Sequence, residues 1–141
     1  MQVDYPVTLP VVEARATRQF VGAVIDDEDS DRRNLARRLE DVGCKVDPVA
    51  DPRQLSGGTY DIVLVDMVYG GELNGPSFCK QIRQRWPGSL IVAVSAVDER
   101  EGLFSEALSE GACASLEKVE VTNRRLREMI ALHWCRKHKD F

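Results

Sequence analysis

The sequence predicts an α/β domain: a five-stranded parallel sheet with helices on both faces. Three observations carry this. Short apolar runs of strand length recur along the chain, and stretches with helical spacing separate them. Runs such as Phe20–Ile25, Ile62–Val65 and Leu90–Val94 are apolar nearly throughout, as strands buried on both faces should be. The runs also end alike, in polar residues: Asp26-Asp27-Glu28, Asp66, Ser95 and, after the last one, Lys118.

The elements follow in order. The first strand spans Phe20–Ile25. A helix starts near Asp29 or Ser30, both good caps, and carries Leu35, Leu39 and Val42 on one face before Gly43 stops it. A short strand covers about Lys45–Val49. Pro52–Leu55 leaves room for only a turn or two of helix. Ile62–Val65 is the third strand. Pro76 opens the next helix, with Phe78 and Ile82 facing the core and Trp86-Pro87-Gly88 ending it. Leu90–Val94 is the fourth strand. A helix over about Glu99–Glu110 turns Leu103, Ala107 and Leu108 inward and stops at Gly111. Cys113–Leu116 forms the fifth strand. The last helix starts near Thr122 or Asn123 and carries Leu126, Met129 and Ile130, with Trp134 as a further candidate.

The remaining features set bounds. A length of 141 residues indicates one domain, able to bury enough surface without a disulfide or metal staple. A net charge of −4 argues against a bulk polyanion binder, so no nucleic-acid partner is expected. The apolar runs fall far short of the ~20 residues that a membrane span needs. Met1–Pro6 has neither a basic start nor an apolar core, so no signal peptide is indicated and the cytoplasm is the expected compartment. Cys44, Cys79, Cys113 and Cys135 are widely spaced without a Cys-x-x-Cys pair, which favours reduced thiols packed in apolar surroundings. Residues 1–19 alternate Val3, Tyr5, Val7, Leu9 and Val11 with polar residues or prolines. They read as an N-terminal extension to a domain over 20–141, either loosely packed or an arm that lies on this domain or on a partner. His133, Cys135 and His138 fall on different sides of one helix and make no metal set. Arg32, Arg33, Arg37 and Arg38 make the first helix basic, either as a solvated face or as a docking surface for an acidic partner.

The strand ends carry the chemistry. In an open α/β sheet, ligands bind beyond the carboxyl ends of the strands. Asp26, Asp27 and Asp66 brought together there repel one another unless a cation sits among them. Mg²⁺ suits such a site, since it is hard, takes oxygen ligands and prefers one or two carboxylates with waters and a phosphate. Lys118 adds a positive charge and Ser95 a hydroxyl for a phosphoryl oxygen. A carboxylate so flanked is set up to attack phosphorus and form an aspartyl phosphate.

With these residues in order, the stretch from about 20 to 137 resembles a response-regulator receiver domain. The resemblance implies the flavodoxin-like (βα)5 fold, doubly wound, with strand order 2-1-3-4-5. It implies Asp66 as phosphoacceptor and Asp26 and Asp27 as the acidic pair. Ser95 matches the switch hydroxyl, and Ala96 leaves room for the phosphoryl group. Lys118 matches the family's lysine. Mg²⁺ would be held by Asp26, Asp27, Asp66 and the backbone carbonyl of Val68. The implied partners are a histidine kinase or histidine phosphotransfer protein and an output protein. A homodimer through the last two helices or the N-terminal arm stays open. The only catalysis expected is the domain's own phosphorylation and dephosphorylation at Asp66.

The chain also departs from the family pattern. Val119 stands where a proline usually follows the lysine, so a trans bond or a remodelled loop is expected. Ser115 replaces the switch aromatic. The loop Tyr69–Gly75 is one residue longer and glycine-rich. These changes keep open a second function: a degenerate receiver that binds proteins without phosphate. An aspartyl-phosphate hydrolase is disfavoured because position 68 is Val rather than a second Asp, and no Gly-x-Gly-x-x-Gly follows the first strand. The end of the chain at Phe141 leaves a stand-alone receiver or a piece of a longer protein as alternatives.

Overall fold

A computed structural model describes residues 19–68, 74–96 and 102–137. Five strands form one sheet: β1 (Phe20–Ile25), β2 (Cys44–Val49), β3 (Ile62–Asp66), β4 (Leu90–Ser95) and β5 (Ala114–Glu117). Their order is β2-β1-β3-β4-β5, and every pairing is parallel. Between and after them lie α1 (Asp29–Asp41), α2 (Gly75–Arg85), α3 (Leu103–Ser109) and α4 (Asn123–Lys137). The slot between β2 and β3 holds only a 3₁₀ turn, Pro52–Gln54, as the short Pro52–Leu55 segment implied.

Alternation along the strands divides the core into two layers. Val24, Ile62, Leu64, Val92, Val94 and Leu116 meet α1 through Leu35 and Leu39, and α4 through Leu126 and Ile130. Ala23, Ile25, Val63, Val65, Ile91 and Ala93 face the opposite way, onto Cys79 and Ile82 of α2 and Leu103 and Ala107 of α3. Helices therefore cover both faces, and the strands are apolar on both sides. Pro48 is tolerated in β2 because that strand is an edge.

Several local expectations need correction. The cap of α1 is Glu28, whose side chain accepts from the Asp31 amide at 2.6 Å, rather than Asp29 or Ser30. The extra reach of its longer side chain lets a glutamate do the work of the shorter ones. Gly43, at φ +102°, follows α1 as expected for a residue free to enter the left-handed region. The fourth helical stretch ends at Ser109, one residue before the expected Glu110, and the expected start at Glu99 lies outside the described residues. Among the described residues it begins at Leu103, after Gly102 at φ +70°, and residues 97–101 lie outside the described set. Leu108 is 46% exposed, not inward, because a seven-residue helix buries only the face bearing Leu103 and Ala107. The fifth strand is displaced by one residue, to Ala114–Glu117. All four thiols are free; Cys44 and Cys79 are buried, but Cys113 and Cys135 are exposed and do not pack in the core.

Candidate functional site

The parallel register brings the four polar strand ends to one edge of the sheet. Asp66 is the last residue of β3 and pairs with Val94, so Ser95 lies one step further out on the neighbouring strand. Ser95 in turn pairs with Glu117, and Lys118 follows directly in a 3₁₀ turn, Lys118–Glu120. Asp26 and Asp27 come immediately after β1 on the other side of β3. Ser95 is buried at the end of its strand, while Ala96 is exposed. No peptide bond among the described residues is cis, so the bond before Val119 is trans, and Val119 itself is 79% exposed.

The carboxylates gather as the sequence implied. Asp26, Asp27 and Asp66 can each offer an oxygen within 4.8 Å of the others. Asp26 is fully buried and Asp66 nearly so, while Asp27 is exposed. Backbone groups fix Asp26 in place: its amide donates to the Val49 carbonyl at 3.1 Å, and its Oδ1 accepts from the Glu28 amide at 3.0 Å. Arg32 Nη1 donates to the Asp26 carbonyl at 2.9 Å. Lys118 Nζ lies 2.8 Å from Asp26 Oδ2, 2.6 Å from Asp31 Oδ2 and 3.8 Å from Asp66 Oδ1. Asp31 was missed by sequence reasoning. Its only signal was its place in the first turn of α1, which the Lys118 side chain reaches from the turn after β5.

Electrostatics follow from that packing. Burial and the neighbouring Asp26 carboxylate push the Asp66 pKa up to about 7, against the opposing pull of Lys118 and a long contact from the Val68 amide at 3.5 Å. For Lys118, burial alone would lower the pKa. The Asp26 and Asp31 contacts and the Asp66 charge outweigh it and raise the value. Asp26 Oδ2 is buried and accepts no well-aligned hydrogen bond, although the Lys118 ammonium is at ion-pair distance. A buried carboxylate oxygen left in this state, inside a cluster of three hard oxygen donors, fits a divalent cation of the Mg²⁺ type. The backbone of residue 68 adjoins the cluster. Residues 69–73 of the following loop lie outside the described residues, as does most of the Tyr69–Gly75 departure.

The helix that Arg32, Arg33, Arg37 and Arg38 make basic is α1. Arg37 and Arg38 line a groove with Arg124 and Arg127 of α4. His133 Nε2 lies 3.0 Å from the Gly88 carbonyl oxygen, at the edge of the sheet opposite the carboxylates; His138 lies outside the described residues. Among the described residues, no helix is long and apolar enough to cross a membrane.

Comparison with known proteins agrees with this architecture. The transcriptional regulatory protein ComA of Bacillus subtilis is 35% identical over 68 residues, which cover 48% of this chain and 31% of that protein. TcrA of Mycobacterium tuberculosis, also a transcriptional regulatory protein, is 36% identical over 84 residues, covering 55% of this chain and 33% of its own. The matches thus span about a third of the length of these curated relatives. A CheY-like response regulator receiver domain protein from Methanospirillum hungatei superposes with a TM-score of 0.72 at 19% identity, over 86% of this chain and 98% of that one. A response regulator from Burkholderia pseudomallei, solved with a phosphorylated aspartic acid, a calcium ion and citrate, gives 0.70 at 19% identity, over 86% and 72%. At these identities the structural likeness speaks for the fold alone. The family profile of the response regulator receiver domain matches residues 23–131, and with that match over most of its length the chain belongs to the response regulator receiver domain family.

Proposed function

We propose that this chain accepts a phosphoryl group from a phosphohistidine onto Asp66 and passes the signal on by protein contact. The observation that carries the reading is the meeting of Asp26, Asp27 and Asp66 with Lys118 at one edge of the sheet. An Asp66 carboxylate oxygen forms the new O–P bond as the P–N bond to the donor imidazole breaks. The electron pair of that bond returns to the imidazole nitrogen, which takes up a proton. Hydrolysis reverses the load: water oxygen bonds to phosphorus, the Asp66 O–P bond breaks, and carboxylate and inorganic phosphate result.

The chain's own residues have distinct tasks in this scheme. Asp66 supplies the nucleophile, Lys118 the positive charge for a phosphoryl oxygen, and Ser95 a hydroxyl for another. Ala96 offers no bulk against the phosphoryl group. Asp26, Asp27, Asp66 and the Val68 carbonyl would hold Mg²⁺, which when bound neutralises charge on the phosphoryl oxygens. No other substrate enters the scheme, so catalysis is limited to the domain's own phosphorylation and dephosphorylation.

Receiver domains work with histidine kinases and output domains. The donor here is a histidine kinase or histidine phosphotransfer protein, met by the arginine-bearing face of α1; such an encounter weakens with salt. Residues 20–141 form the receiver unit and 1–19 an extension to it. A second reading is a receiver that binds its partners without phosphate. Ser115 and the exposed Val119 favour it, because coupling through a switch aromatic is not available at 115.

Incubation with Mg²⁺ and phosphoramidate, followed by intact-mass measurement, separates the two readings. The phosphoacceptor reading expects one phosphoryl group on the wild-type chain and none on Asp66→Ala. Folded wild-type protein that gains nothing, from phosphoramidate or from a phosphorylated histidine carrier, leaves the phosphate-independent module.

A further inference from the structure

Lys118 has a second claimant besides the carboxylate it would serve. Asp31 Oδ2 is its nearest acidic atom, at 2.6 Å, against 2.8 Å for Asp26 Oδ2 and 3.8 Å for Asp66 Oδ1. The Asp31 contact is a charge-assisted hydrogen bond, the Asp26 contact an ion pair without that alignment, and the third lies beyond hydrogen-bond distance. The backbone that carries Asp31 is fixed. Its amide donates to the Glu28 cap, and the neighbouring Arg32 is tied to the Asp26 carbonyl. The contact joins residues 87 positions apart, the first turn of α1 and the turn after β5. Its Asp31 side is 38% exposed, so the contact is solvent-screened and can be surrendered at small cost.

We propose that Asp31 is a positioning residue that holds Lys118 away from Asp66 until a phosphoryl oxygen draws the ammonium across. An ammonium has three donors, so it can stay at ion-pair distance from Asp26 while exchanging its hydrogen bond to Asp31 for one to the phosphoryl group. The exchange breaks a link between α1 and the Lys118–Glu120 turn, and so reports phosphorylation to the surface of a chain that has Ser115 in place of the switch aromatic. The proposal rests on Asp66 as phosphoacceptor.

The test compares wild type with Asp31→Asn and Asp31→Ala, in the presence and absence of Lys118→Gln. Phosphorylation by phosphoramidate and Mg²⁺ is followed by intact mass, and the Lys118–Asp66 distance is read from a metal-free crystal structure of Asp31→Asn. The expected result is phosphorylation faster by roughly two- to fivefold, the size that a solvent-screened ion pair supports. The gain disappears in the Lys118→Gln background, and the Nζ–Oδ1 distance shortens from 3.8 Å to about 2.8 Å, the length of a charge-assisted hydrogen bond. An equal or slower rate in both Asp31 variants, a gain that survives Lys118→Gln, or an unchanged distance overturns the proposal. If the wild type accepts no phosphoryl group, the phosphoacceptor reading fails by itself, and the distance in Asp31→Asn decides whether Asp31 restrains Lys118.

Discussion

Asp26 Oδ2 and Lys118 Nζ stand 2.8 Å apart, although β1 and β5, the strands they follow, lie on opposite sides of the strand that ends in Asp66. The Asp26 side chain is fully buried and that of Lys118 is 14% exposed, so the pair is largely shielded from water. Removing one partner of such a pair strands the other. Lys118→Ala is therefore expected to lower the unfolding free energy by about 3 kcal/mol without divalent ions. It is also expected to slow phosphorylation of Asp66. Urea unfolding in EDTA checks the first outcome, and an unchanged midpoint would contradict it.

The raised pKa of Asp66 has a pH consequence for the metal-free chain. The folded state holds the Asp66 proton up to about pH 7, whereas an unfolded aspartate releases it near the ordinary value of 3.8. Between those values the folded state binds more protons, so the contribution of this group to stability is complete below the lower value and is lost as pH rises through about 7. His133 acts in the opposite sense. Burial lowers its pKa from 6.5, so its contribution falls as pH drops below that value. Comparison with Asp66→Asn isolates the carboxylate: the loss toward pH 8 is expected in wild type in EDTA and absent in the variant. Mg²⁺, which binds the ionised form, is expected to flatten the wild-type profile. Thermal midpoints from pH 5 to 8 give the answer, and a slope unaffected by either change would count against the assignment.

Gly75 governs the segment that follows Asp66. Its amide donates to the Met67 carbonyl at 3.1 Å, and a Cβ built on it would lie 2.4 Å from Met67 Cα. Backbone cannot yield as a flexible side chain does. Gly75→Ala is expected to cost about 1–3 kcal/mol of stability and to slow phosphorylation by displacing the residues next to the acceptor. A chemical denaturation series is the check; a stability equal to that of wild type would show that the approach is looser than the geometry requires.

Tyr60 offers a control remote from the acidic edge. Its buried hydroxyl donates to Asp47 at 2.6 Å and accepts from the Gly57 amide at 2.9 Å. Its ring meets Trp86 edge-on at 4.9 Å. Tyr60→Phe keeps the ring and removes both hydrogen bonds, one of them to a carboxylate, so a loss of about 1–3 kcal/mol is expected. Phosphorylation of the folded variant is expected to match wild type. A change in its rate would place Tyr60 in contact with the site by a route that the hydrogen bonds do not reveal.

Much of the fold was legible because the strands are buried on both faces. Val63, Leu64 and Val65 carry no polar break, and their two-residue alternation divides cleanly between the helical layers. The acidic cluster was legible for a related reason: Asp26 and Asp66 each follow an apolar run, so strand ends located them before any contact was known. Less could be read where short-range chemistry competes. Glu28 took the cap because its reach suffices, and Gly102, at φ +70°, sets the start of the described α3. Asp31 could not be assigned from spacing, since its tie to Lys118 depends on how the first turn of α1 meets the turn after β5. Leu108 looked apolar enough to face the core, yet a helix of two turns has no second face to bury.

The most direct test of Asp66 as acceptor is borohydride reduction of the phosphorylated chain followed by peptide mapping. Borohydride reduces an acyl phosphate to the alcohol, so a phosphorylated aspartate is read as homoserine. After treatment with Mg²⁺ and phosphoramidate, conversion is predicted at position 66 and at no other aspartate. Conversion at Asp26 or Asp27 instead, or phosphoryl gain without conversion at 66, would contradict the assignment of Asp66.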